Sequence, residues 1–151
     1  MSEFKRLVEL RLDATPQRLR LLRAVVHAAM DSLGADAEST NCTVLAVTEA
    51  CMNIIQHAYG PGRTGEIVVE ILNNHHEVKF RVTDFAAPVD TAAVRSRDLD
   101  DLRPGGLGVH LIHQVMDEAG FVPAPAGAGN VFEMTKRWTP AANEDGRDEV
   151  Q

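Results

Sequence analysis

The stretch "VTEACMNIIQHAYG", residues 47–60, sets Glu49, Asn53 and His57 four residues apart. At helical spacing they stack on one stripe. A carboxamide oxygen is a hard ligand that suits Mg²⁺, and a carboxylate one turn away can accept a proton from an attacking hydroxyl or water. The stripe lies opposite the apolar arc of Val47, Cys51, Ile54, Ile55 and Ala58. In isolation it reads as a solvated helix face.

Two further groups have chemical potential. "RPGGLGVHLI" puts Gly105, Gly106 and Gly108 at the start of a helix, where free N–H groups and the helix dipole favour phosphate oxygens. Glycines that only break a loop and pack closely on a sheet explain the same residues. Asp84 ends the apolar row Val78, Phe80 and Val82 of a strand. A carboxylate on a covered face needs a donor, either the amine edge of a purine or a backbone N–H. Asn130 shares its parity with Phe132, Met134 and Trp138, so it and Asp84 can reach one base held between sheet and helices. His75 and His76 read as a hairpin turn. His110 and His113 lie three apart on a helix with no third ligand nearby, and neither cysteine has zinc-site spacing.

The elements that must position these residues follow from periodicity. "FKRLVELRL" is a first strand. "TPQRLRLLRAVVHAAMDSLG" is a helix with Thr15 as N-cap, Pro16 at its first position and Gly34 as C-cap. "DAESTN" leads into the long helix that ends near Tyr59. "EIVVEIL" and "EVKFRVTD" form a hairpin across "NNHH". Residues 85–104 read as a lid or binding loop. "GGLGVHLIHQVMDEAG" is a helix with Leu107, Leu111, Val115 and Met116 on one face, and "NVFEMTKRW" is the last strand. This order predicts an α+β two-layer sandwich: a mixed, mostly antiparallel sheet with its helices on one face. Residues 1–139 form one domain, and 140–151 form a disordered acidic tail.

The chain has 151 residues, 44% hydrophobic and 25% charged, with a net charge of −7. It lacks the basic footprint of a duplex-binding protein and any window long enough to span a bilayer. The N-terminus has no signal-peptide core. Cys42 and Cys51 fit reduced core thiols, and the chain reads as cytoplasmic.

The order of the motifs is more informative than any one of them. With "TEACMNIIQHAYG" followed by a strand ending in Asp84, a lid and "RPGGLGVHLIHQVMDE", the chain resembles the GHKL ATP-binding fold of gyrase, histidine kinases and a heat-shock chaperone. Within that fold it is most similar to the serine-kinase anti-sigma factors of the RsbW and SpoIIAB type. The resemblance implies ATP and Mg²⁺ as ligands. Asn53 would hold the metal, Glu49 would be the catalytic base, and Asp84 would accept the adenine amine. Gly105, Gly106, Leu107 and Gly108 would close over the phosphates, with Arg103 nearby. His57 and Tyr59 match the "HAY" end of the first box, as support or as ligand contacts. The usual D-x-G-x-G box appears as "DFAAP", with Ala86 and Pro88 in place of both glycines, and Asn130 stands where many relatives have threonine. The implied partners are an anti-anti-sigma antagonist of the STAS type, a sigma factor and a second copy of the chain. No nucleic acid or membrane is implied. A nucleotide-binding partner-switch module that transfers no phosphate is the alternative.

Overall fold

The fold was described from a computed structural model, which covers residues 3–60, 62–88 and 104–141. Its strands are β1 (Lys5–Asp13), β2 (Glu66–Asn73), β3 (Glu77–Asp84), β4 (Glu118–Val122) and β5 (Asn130–Arg137), in the spatial order β1-β2-β3-β5-β4. The α-helices among the described residues are α1 (Leu19–Leu33), α2 (Ala37–Asn53) and α3 (Pro104–Val115). The two-layer α+β architecture is as expected, and the four strand pairings among the described residues are all antiparallel. From β3 the chain passes through α3 to the far edge, and β5 returns between them.

Alternation dictates the core. In β3 every second residue is buried, ending with Asp84 as the row predicts. Phe80, Val82, Ile67, Val69 and Met134 pack under Leu22 and Val26 of α1 and Val47 and Cys51 of α2. Helix α2 packs against both α1 and α3, so it is the middle helix of the layer. On the open face, Arg81 lies in register between Glu70 and Glu133 and donates from Nε to Glu133 Oε2 at 2.8 Å. Such cross-strand pairs of opposite charge finish a solvent-facing sheet surface.

The helix ends depart from expectation in instructive ways. Gly34 is left-handed (φ 77°, ψ 24°), as its place after α1 requires. Thr15 is extended as an N-cap should be, but its side chain makes no cap bond, and Pro16 opens a 3₁₀ turn, Pro16–Arg18, before α1. Asp36, expected in a lead-in segment, is the working cap: its carboxylate accepts the Ser39 N–H at 3.0 Å and α2 starts at Ala37. In the hairpin turn Asn74 Oδ1 accepts the N–H groups of His76 and Glu77 at 2.9 and 2.8 Å.

The last helix is shorter than its sequence suggests. It ends at Val115, and Ile112 is buried while Leu111 is only half-buried. From Asp117 the chain pairs with β5 instead: the Asp117 N–H donates to Thr135 O at 3.0 Å, and its carboxylate accepts the Arg137 N–H at 2.6 Å. The edge strand β4, "EAGFV", is short, contains glycine and has little of the β-branched character that marks strands. Backbone pairing continues to Ala141, whose N–H donates to Gly34 O at 2.7 Å. Residues 142–151, and with them most of the expected tail, lie outside the described residues.

Candidate active site

Antiparallel register brings Asp84 and Asn130 side by side at one end of the sheet. Asp84 is 3% exposed, yet it is well supplied with donors. Its Oδ1 accepts Asn130 Nδ2 and the Ala86 N–H, both at 3.0 Å. Asn130 Nδ2 also donates to Ala87 O at 3.1 Å, so one carboxamide ties the strand end to the segment that follows it. Burial pushes the Asp84 carboxyl above its ordinary pKa, and the bonds from Asn130 and Ala86 hold it partly down.

No described non-glycine residue has a positive φ, so Ala86 carries no left-handed strain; it is half-buried, and Pro88 is exposed. The room for a close approach comes from the opposite side. A Cβ on Gly129 would lie 2.0 Å from Ala86 O, and the Gly129 N–H donates to Asp84 O at 2.8 Å. Beside this contact a cleft of about 320 Å³ opens between Pro88, Phe121, Gly129, Asn130 and their neighbours. It borders Asn130 without reaching Asp84, Glu49 or Asn53.

Helix α2 carries the other group. Glu49 and Asn53 are each half-buried rather than fully solvated, while His57 is exposed. The helix continues from Asn53 into a π-helical turn, Ile54–Tyr59, a geometry that recurs at functional sites. Tyr59 crosses to the sheet: its hydroxyl donates to Glu66 O at 2.7 Å and accepts the Phe85 N–H at 2.9 Å. Its ring lies so close to Gly65 that a Cβ there would stand 2.2 Å from ring carbons.

The remaining candidates sort clearly. Gly105, Gly106, Leu107 and Gly108 fall in the first turns of α3, so the glycine-rich box is helical from Pro104. Arg103 lies outside the described residues, as does the lid from residue 89 onward. His110 is exposed and bonded to Gln114 at 3.2 Å. Among the described residues no three His, Cys, Asp or Glu side chains gather as a metal site. Cys42 and Cys51 are free thiols. Sequence reasoning missed Gly65 and Gly129, since nothing in a lone glycine says which backbone or ring it admits.

Residues 12–136 match the histidine kinase-like ATPase domain family. A serine-protein kinase RsbW of Bacillus pumilus is 30% identical over 146 residues, covering 90% of this chain and 88% of that protein. The RsbW of Bacillus subtilis is 26% identical over 137 residues, covering 85% and 84%. A crystal structure of the RsbU and RsbW domains of a Mycobacterium tuberculosis protein shares the fold, with a TM-score of 0.62 at 23% identity. It matches 89% of this chain, which spans 32% of that longer one. The motif order, the sandwich and these likenesses agree: the chain belongs to the histidine kinase-like ATPase domain family, in the group of RsbW-type serine-protein kinases.

Proposed function

We propose that the protein is an ATP- and Mg²⁺-dependent serine/threonine protein kinase that is also an anti-sigma factor, acting in the cytoplasm. The observation that carries this reading is Asp84, a buried carboxylate at the end of a core row, fixed by Asn130 and Ala86. A buried carboxylate so held is oriented to accept an exocyclic amine, and that selects adenine. Asn53 would be a protein ligand to a cation that arrives with the nucleotide phosphates. The bound metal would neutralise charge on the phosphates.

The chain's own residues supply positioning and proton transfer. The helical glycine box of α3 offers backbone N–H groups and a positive dipole end to the phosphate oxygens. Glu49, one turn before Asn53, accepts the proton of a serine or threonine hydroxyl on the partner. The hydroxyl oxygen bonds to the γ-phosphorus as the bond to the β–γ bridging oxygen breaks, releasing ADP. Arg103, His57, Ala86, Pro88 and Leu107 complete the nucleotide surroundings in this reading. The domain boundary expected at 139 moves to Ala141, where backbone pairing among the described residues ends.

The phosphorylated partner would be an anti-anti-sigma antagonist of the STAS type. A phosphate of about −1.5 to −2 charge at that interface would release it, leaving this protein, as a homodimer, free to hold the sigma factor. No described helix is long and apolar enough to cross a membrane. The test is calorimetric titration with ATP and Mg²⁺ beside Asn53→Ala, then transfer of labelled γ-phosphate to an antagonist with Glu49→Gln as control. Binding and transfer by the wild type, with loss of each in the matching variant, is the expected result. Binding without transfer would favour a nucleotide-responsive partner-switch module.

A further inference from the structure

Nucleotide recognition in this reading is divided between two elements that are distant in sequence. Glu49 and Asn53 ride on α2, and Asp84 ends β3. The structure points to a single side chain that holds them together. We infer that Tyr59 is a positioning residue, whose hydroxyl locks the end of the α2 helix to the strand ends beside Asp84 at the separation a bound adenine nucleotide needs. This inference rests on the kinase reading above.

The geometry is specific. Tyr59 closes the π-helical turn that extends α2, six residues past Asn53. Its hydroxyl bonds to the backbone of two adjacent strand ends, Glu66 at the start of β2 and Phe85 just after β3. Ile67 and Asp84, one residue inward on each strand, are paired across the sheet. The pinned Phe85 N–H sits between Asp84 and Ala86, whose own N–H binds the Asp84 carboxylate. A shift of Phe85 therefore moves the group that would read adenine.

Two further features suit a permanent strut. The ring rests on Gly65, where any side chain would displace it. The Tyr59 hydroxyl is pushed above its ordinary pKa, chiefly by burial. It therefore keeps its proton at neutral pH, and with it the donor bond to Glu66. A role confined to packing would need the ring but not the hydroxyl.

Tyr59→Phe separates the two, since the ring stays and both hydroxyl bonds go. Three readouts apply to the full chain: thermal melting, amide exchange at Phe85, and calorimetric affinity for ATP·Mg²⁺ against a purine riboside triphosphate that lacks the 6-amino group. The expected result is a melting point lowered by about 2–8 °C for the two lost bonds, faster Phe85 exchange, and ATP affinity reduced about three- to tenfold. Affinity for the amine-free analogue should not move, because Asp84 reads only the amine. Unchanged Phe85 exchange, or equal loss for both nucleotides, would overturn the inference while wild-type binding leaves the kinase reading standing. A wild type that binds neither nucleotide sinks both.

Discussion

Replacing Asp84 by asparagine should separate adenine recognition from folding. The carboxamide has almost the volume of the carboxylate, and its Oδ1 can still accept both Asn130 Nδ2 and the Ala86 N–H, which share one oxygen in the native site. The fold therefore keeps its two bonds and is relieved of a buried charge. In the adenine reading, what changes is the second terminal atom: an acceptor for the ligand's amine becomes an NH₂ donor. Losing a hydrogen bond to a charged group costs about 1.5–3 kcal/mol, roughly 10- to 150-fold in affinity. Calorimetry with ATP and Mg²⁺ measures that loss, and chemical denaturation measures stability in parallel. The pH dependence gives a second check. The folded carboxyl titrates above the ordinary aspartate value, so wild type bears the cost of the buried charge at neutral pH and sheds it as pH falls through the folded pKa. The stability advantage of Asp84→Asn should therefore shrink on acidification. Asp84→Asn protein that binds ATP within threefold of wild type would refute the assignment of Asp84 to adenine.

Other outcomes follow from the packing. Gly129→Ala places a methyl 2.0 Å from Ala86 O, against the Ala86 backbone, and should destabilise by about 1–3 kcal/mol in denaturant melts. The same variant should weaken ATP binding, because the Ala86 segment that must yield also holds Asp84. Asp36→Ala removes the α2 cap and should lower the melting temperature at pH 7. The Asp36 carboxyl is held below its usual value by the Ser39 hydroxyl and N–H, so its contribution is present above 3.8 and lost as pH falls through the folded pKa. The melting gap should close in acid. Burial pushes the Cys51 thiol up to about 12, so a maleimide reagent should label half-exposed Cys42 in the native protein and reach Cys51 only on unfolding.

Much of the arrangement was legible along the chain because it depends on local periodicity. Alternation placed Asp84 at the end of the buried row of β3, and parity put Asn130 with Phe132 and Met134. Helical spacing gave the apolar arc of α2, and Gly34 marked the end of α1 through its need for positive φ. Local signals failed where ends and edges were concerned. The cap of α2 fell to Asp36, and "EAGFV" became a strand because residues 131–135 of β5 offered it backbone partners. Propensity cannot register a partner on a later strand.

The site itself belongs to the tertiary structure. Asp84 and Asn130 are 46 residues apart and meet only through the β3–β5 register, which also settles which atoms they share. The half-burial of Glu49 and Asn53 arises because α2 is the middle helix, with neighbours on both sides, and a helical wheel cannot count neighbours. Gly65 and Gly129 are ordinary glycines in sequence; a tyrosine ring and an alanine carbonyl packed within a Cβ's reach give each its purpose. Residue types and spacing thus named this chain's candidate groups. Non-local pairing and close packing, which no local pattern encodes, decided how its parts are held.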